Sequence, residues 1–161
     1  MPQELKIRIQ NLPEIESKLQ TISATFVEET NFEDTYFNQP QGDVLKLGDN
    51  DKGFFFTSLK ATPEGKFTII KNSPIENADQ VKAEMANEYG IKCVLKGKRR
   101  IFSLGSDKIT LNSIEGLGDF LILTSENPTA DFFITKLGLT NPEYIKISFD
   151  NLQPASNNPN A

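Results

Sequence analysis

Residues 4–9 place charged and aliphatic side chains at alternate positions, and this alternation constrains the fold more than any other feature of the chain. Glu4, Lys6 and Arg8 lie on one face of an extended strand, whereas the intervening Leu and Ile residues lie on the other. A surface strand with a solvated ionic face shows this pattern. A strand whose charges line the inside of a barrel shows it equally well, and the choice between the two decides the function.

The composition excludes several classes of function. The chain has 161 residues, which fits one domain with a proper core, and it contains no histidine. Catalysis by a histidine base, Ser-His or Cys-His nucleophile pairs, and nearly all zinc and non-haem iron catalysis are therefore excluded. A single cysteine, Cys93, excludes an intramolecular disulfide framework.

The charge and hydropathy patterns limit the partners. The net charge of −5 gives no global basic surface, so we expect no nucleic-acid partner, and any anion site must be a local concentration of Lys and Arg. No apolar run approaches the length of a membrane span, and the N-terminus lacks the apolar core of a signal peptide. We therefore expect a cytoplasmic protein without a membrane partner.

Strands dominate the predicted secondary structure. The patterns predict strands over residues 3–10, 25–38, 43–48, 53–60, 66–71, 91–96, 98–104, 107–114 and 119–124, and helices over about 13–23, 77–89 and 128–138. Residues 1–152 form one predicted domain of antiparallel α+β barrel type. The tail, residues 153–161, is polar and rich in Pro and Asn, and we expect it to be disordered.

Five groups of short segments occur in an order that is typical of one family. They are Glu4-Leu5-Lys6-Ile7-Arg8 with the helix at 11–19, Asp34-Thr35-Tyr36-Phe37, residues 42–47 with Leu59-Lys60, residues 96–102, and residues 109–120. On these motifs the chain resembles the CYTH superfamily, which contains class IV adenylate cyclases and thiamine triphosphatases and belongs to the triphosphate tunnel enzymes. The resemblance implies an α+β fold in which eight antiparallel strands form a tunnel-like β-barrel with flanking helices.

The resemblance also implies a site inside the barrel. In such proteins Lys and Arg side chains hold a triphosphate or nucleotide anion, and Glu and Asp hold Mg²⁺ or Mn²⁺. The candidate phosphate ligands on matching positions are Lys6, Arg8, Lys46, Lys60, Lys98, Arg99, Arg100 and Lys108. The register of the basic run at 96–100 is open, although Arg99 best fits the spacing to Phe102. We expect Lys6, Arg8, Lys46 and Lys108 to converge on a common cavity.

The acidic part of this pattern is mostly replaced. Pro2, Asn112, Ile122 and Thr124 stand at positions that are acidic in the family, and Glu4 remains as a candidate metal ligand. One Glu is a poor cage for a divalent cation, so these replacements weaken the expectation of Mg²⁺ or Mn²⁺ as cofactor.

Three functions remain open, and no catalytic residue is assigned. The first is binding of a triphosphate-type or nucleotide-type anion with a degenerate metal site and impaired catalysis. The second is an active, metal-dependent class IV adenylate cyclase or (thiamine) triphosphatase. The third is a non-catalytic structural or interaction module whose tunnel is filled by apolar side chains such as Ile122. A homodimer is also open, because dimers are common among similar proteins.

Overall fold

The computed structural model describes residues 1–152, and its main element is an antiparallel sheet. The strands are β1 (Gln3–Ile9), β2 (Thr25–Phe37), β3 (Asp43–Asn50), β4 (Gly53–Ala61), β5 (Phe67–Ile75), β6 (Ile91–Leu104), β7 (Asp107–Ile114), β8 (Gly118–Ser125) and β9 (Glu143–Tyr144). The helices are α1 (Leu12–Thr21) and α2 (Ala78–Tyr89), followed by a π-helical turn at Phe132–Lys136 and a 3-10 turn at Phe149–Asn151.

The sheet closes into a ring. Its strand order is β5-β4-β3-β2-β6-β7-β8-β1, and β5 pairs again with β1 through Gln3 and Glu4. The short strand β9 pairs with β1 at Ile7 and Arg8, where β1 continues past its pairing with β5. This arrangement confirms the predicted α+β class and the antiparallel tunnel-like ring of eight strands.

The aliphatic face of β1 is covered on the outside of the ring. Leu5, Ile7 and Ile9 are buried and pack in one cluster with Leu19 of α1 and with Phe133. Helix α1 begins where the Asn11 side chain accepts a hydrogen bond from the Glu14 backbone N–H at 3.1 Å. Because the aliphatic face points outward beneath α1, the ionic face of β1 points into the ring.

The second helix covers the opposite part of the ring. Phe37, Leu45 and Leu47 form a buried cluster against Met85 and Ala86 of α2. Both long helices thus lie outside the sheet, and the ring interior is left to the inward side chains of the strands. None of the helices within residues 1–152 is long and apolar enough to cross a membrane.

Three local predictions differ from the structure. Strand β6 is continuous, whereas two strands were expected to meet at Gly97. This glycine does not mark a turn; it allows β7 to approach closely, since a Cβ at this position would collide with the Ser113 carbonyl. The predicted helix over 128–138 contracts to the π-helical turn. Strand β9 and the turn at Phe149–Asn151 were not predicted, and the expected disordered tail lies outside the described residues.

Candidate functional site

A cavity of about 260 Å³ lies in the ring interior, and residues of all eight ring strands line it. Its mouth carries exposed side chains such as Lys52, Asn72 and Lys108. Its inner end is formed by buried side chains, among them Tyr36 and Phe149. The cavity is therefore open to solvent at one end and closed at the other.

The lining is strongly charged. Among the described residues, the cationic side chains at the cavity are Lys6, Lys46, Lys52, Arg99 and Lys108, and the carboxylates are Glu4, Glu28 and Asp34. Alternation within the strands explains this set, because each of these strand residues shares its parity with other inward residues of the same strand. Positive charge thus exceeds negative charge at the cavity.

Asp34 neutralises part of this charge from within the wall. Its side chain is 4% exposed, and its Oδ2 accepts hydrogen bonds from Lys46 Nζ at 3.0 Å and from Arg99 Nη2 at 3.2 Å. Burial opposes ionisation of this carboxyl, yet the two adjacent cations hold its pKa below the ordinary value. An ionised Asp34 therefore orients Lys46 and Arg99 at the cavity.

The surroundings of Asp34 and Arg99 are shaped for this contact. Gly48 lies opposite Asp34 on β3, and a Cβ there would lie 2.9 Å from Asp34 Oδ1. Arg99 Nε donates a second hydrogen bond to Asn112 Oδ1 at 2.9 Å, and the guanidinium lies 4.1 Å from the Phe32 ring centroid. These contacts leave Arg99 Nη1 without a hydrogen bond to the described residues.

Lys6 lies at the closed end of the cavity. The residue is 2% exposed, and its Nζ lies 4.1 Å from the Phe67 ring centroid and 4.2 Å from that of Phe149. The same Nζ donates to the Ile147 carbonyl at 3.2 Å, and within residues 1–152 it has no carboxylate partner within 4.0 Å. Burial lowers the pKa of Lys6 to about 8, partly offset by Glu4.

The mouth is built from more exposed charges. Lys52 forms an ion pair with Glu28. Lys108 is exposed at the cavity, yet the surrounding walls reduce its solvation and lower the pKa of its ammonium group. The cations of the cavity thus run from the exposed Lys52 and Lys108 at the mouth to the buried Lys6 at the closed end.

Arg8 is absent from the cavity lining, which corrects the expectation that it shares the cavity with Lys6. It lies two residues further along β1, beyond the closed end. Its guanidinium lies 4.9 Å from the Phe120 ring centroid, Nη1 donates to the Leu117 carbonyl at 3.0 Å, and Nε pairs with Glu143 at 3.0 Å. Alternation along β1 thus predicted correctly that Arg8 is on the inward face, but it did not predict how far along the barrel Arg8 lies.

Three other candidate ligands lie outside the ring. Lys60, Lys98 and Arg100 each neighbour an inward residue, so alternation turns them outward. Lys98 lies 3.9 Å from Glu29, and Arg100 pairs with Glu16 and Glu29. The pairing of β6 with β2 and β7 thus fixes the register of the basic run. Of the three consecutive cations Lys98, Arg99 and Arg100, only Arg99 faces inward.

Comparison with solved structures identifies the fold. The chain superposes on the PH1012 protein of Pyrococcus horikoshii OT3 with a TM-score of 0.81 and 20% identity over 94% of this chain and 99% of that one. The chain also superposes on a proposed adenylate cyclase of Vibrio parahaemolyticus at a TM-score of 0.71 and 19% identity, covering 92% and 94% of the two chains. The chain has the CYTH, or triphosphate-tunnel, fold.

A third structure with the triphosphate-tunnel fold is HpAC1 from Hippeastrum, proposed as an adenylyl cyclase and described as having a dominant triphosphatase activity. It matches at a TM-score of 0.64 and 13% identity, over 92% of this chain and 93% of that one. No protein-family model and no curated protein matches the chain. These identities fit a divergent sequence on the triphosphate-tunnel fold.

Among the described residues, the carboxylates at this cavity, Glu4, Glu28 and Asp34, do not form a group of ligands that would hold a divalent cation by themselves. Glu28 is paired with Lys52, and Asp34 with Lys46 and Arg99. Within residues 1–152, no three His, Cys, Asp or Glu residues are grouped so as to hold a metal ion. The cavity wall carries Asn112, Ile122 and Thr124, which offer no carboxylate.

Sequence reasoning missed Glu28 and Lys52 as lining residues. Glu28 and Asp34 have the same parity on β2, and the register shift of this strand near residue 27 lies before both of them. An inward Asp34 would therefore have predicted an inward Glu28. Lys52 lies in the turn between β3 and β4, where no alternation is available to place its side chain.

Proposed function

We propose that this protein binds a triphosphate-type or nucleotide-type anion in the cavity, through Lys6, Lys46, Arg99 and Lys108, with impaired catalysis. The observation that carries the proposal is the convergence of these four cations, from four different strands, on one cavity of about 260 Å³. Charge-assisted hydrogen bonds to phosphate oxygens are the interaction that such a set provides.

The contacts within the wall support this role. Asp34 orients Lys46 and Arg99 while using part of their hydrogen-bonding capacity, and Arg99 Nη1 is available to a ligand. A small cavity with apolar walls at its inner end also excludes water, which strengthens ionic contacts. The structural-module alternative is less well supported, because the apolar side chains fill the inner end of the ring and leave the mouth end open.

The donor set supports the proposal of impaired catalysis. Mg²⁺ and Mn²⁺ prefer carboxylate oxygens, and the carboxylates at this cavity do not form a group that fits them. We expect triphosphate hydrolysis and ATP cyclisation well below ordinary enzymatic rates, which are on the order of 1–10³ per second. Purified protein that turns over either substrate at such a rate would favour the active-enzyme alternative.

The direct experiment is a thermal-shift series in EDTA. Inorganic tripolyphosphate, ATP, cyclic AMP and orthophosphate are compared, each also with Mg²⁺ or Mn²⁺ in place of EDTA. We expect tripolyphosphate or ATP to raise the Tm in EDTA, since a ligand at 100 times its Kd stabilises the folded state by about 2.7 kcal/mol. A shift that requires the metal, or no shift with any anion, would contradict the proposal.

A further inference from the structure

A second cavity, of about 480 Å³, adjoins the first one at the inner end of the ring. Ser148 lines both cavities, Phe149 faces the first, and Phe67 faces the second. Lys6 Nζ lies between the Phe67 and Phe149 rings. The two cavities are therefore neighbours at the inner end of the ring, and Lys6, Phe67 and Phe149 are among the side chains that lie between them.

The segment from Tyr144 to Leu152 contributes Ser148 and Phe149 to the closed inner end. This segment is held against the ring at several places. Among them, the Ile145 N–H donates to the Lys6 carbonyl at 2.9 Å, and Lys92 pairs with Asp150 at 3.0 Å. Between these two contacts the Phe149 ring packs 4.9 Å from the Phe120 ring centroid and is 7% exposed. Phe149 is thus a buried residue whose position is fixed by the contacts that the segment makes on both sides of it.

We propose that Phe149 is a specificity-determining residue that closes the inner end of the barrel. With this end closed, the site binds only the free end of a linear polyphosphate chain. The inference rests on the proposed function. With the inner end closed, a phosphate chain enters through the mouth alone, so its terminal phosphate lies nearest Lys6. An internal segment of a long chain has no second opening through which to continue.

The test is the number of protein molecules bound per polyphosphate chain. Binding is measured in EDTA by calorimetry with a short and a several-fold longer linear polyphosphate, and the specific part is the fraction displaced by excess inorganic tripolyphosphate. The wild-type protein is expected to bind at the chain ends, so that the number per chain does not change with length. A number that rises in proportion to chain length in the wild-type protein would overturn the inference.

Phe149→Ala removes the ring from the closed end. This variant is expected to open the inner end, so that the number of protein molecules per chain rises with chain length. The matched control is Ile147→Ala, which changes an exposed side chain of the same segment and leaves the carbonyl that Lys6 contacts. If Phe149→Ala does not fold, Phe149→Leu removes the ring while retaining apolar volume. The number of wild-type molecules per chain at the two chain lengths tests the inference without any variant. A folded Phe149→Ala protein that binds as the wild type does would overturn the role of Phe149.

The proposed function and this inference fail in different ways. Absence of tripolyphosphate binding to the wild-type protein would overturn the proposed function and the inference with it. Tripolyphosphate binding together with length-dependent binding of long chains to the wild-type protein would overturn the inference alone.

Discussion

The interior of the ring has a charged half at the mouth and an apolar half at the closed end. Strand β8 shows the change along three inward residues: Thr124 lines the mouth, Ile122 lies at the boundary, and Phe120 is fully buried. The apolar half is a cluster formed by Phe32, Ile114, Leu117, Phe120, Ile122, Ile145 and Phe149. The same barrel wall therefore supports two environments.

The difference shows where this barrel tolerates internal charge. At the mouth, solvent reaches the cations, whereas a buried ammonium without a partner loses hydration free energy. The two cations at the boundary are accommodated by aromatic faces, Lys6 by Phe67 and Phe149, and Arg99 by Phe32. We infer that the apolar half supplies stability and the charged half supplies binding.

The largest expected effect tests stability along β8. Phe120→Ala removes a fully buried ring from the apolar half and should lower the free energy of unfolding by about 3–5 kcal/mol. Thr124→Ala, on the same face of the same strand, should change it by no more than about 0.5 kcal/mol. Urea unfolding of both variants measures this, and equal losses would show that the two halves do not differ in packing.

The next effect tests binding with two lysines of different orientation. Lys108→Ala should weaken tripolyphosphate binding by about 1.5–3 kcal/mol, since it removes a charge-assisted contact at the mouth. Lys98→Ala removes an exposed lysine that faces outward and should leave the affinity nearly unchanged. Calorimetry in EDTA compares them, and a comparable loss in both variants would mean that binding follows overall charge.

The smallest effect, taken per pH unit, is the pH dependence that Lys6 gives to stability. Its pKa is about 8 in the folded protein against 10.5 ordinarily, so between these pH values the unfolded chain binds the proton more strongly. The free energy of unfolding should therefore rise with pH across this window, by at most about 1.4 kcal/mol per pH unit. The nearby charges are Glu4, Lys46 and Asp150.

The readout is the difference between wild type and Lys6→Met, from urea unfolding at a series of pH values. Methionine fills a similar volume without charge, so this difference isolates the titration of Lys6 from that of other groups. A difference that stays constant from pH 8 to 10.5 would show that the Lys6 ammonium is not desolvated in the folded protein.

Local alternation predicted which side chains of a strand share a face, and the resemblance to the CYTH superfamily implied that this face lines the barrel. Together they placed Lys6, Lys46 and Lys108 in the interior correctly. Alternation is a property of one strand, however, and depth along the barrel depends on how the strands stagger. Arg8 has the predicted parity but lies beyond the aromatic layer, which no local pattern could show.

The closed end was the least predictable part. Residues 143–152 have no helical or strand periodicity, and they take their conformation from contacts with distant parts of the chain. Phe149 contacts Phe120, and Asp150 contacts Lys92. The outward position of Lys98 and Arg100 likewise could be assigned only from the pairing of β6 with β2 and β7. Gly97 has no side chain, so the neighbouring residues gave no alternation from which the register could be predicted.

The most direct test of a cation-lined, metal-independent site is calorimetry of tripolyphosphate in EDTA with wild type, Lys6→Met and Arg8→Met. Both variants remove a cation from the inward face of β1, but Lys6 lines the cavity and Arg8 does not. We expect binding to the wild type, a loss of about tenfold to a hundredfold in Lys6→Met, and a nearly unchanged Kd in Arg8→Met. No binding in EDTA, or equal affinity in Lys6→Met and the wild type, would contradict the account.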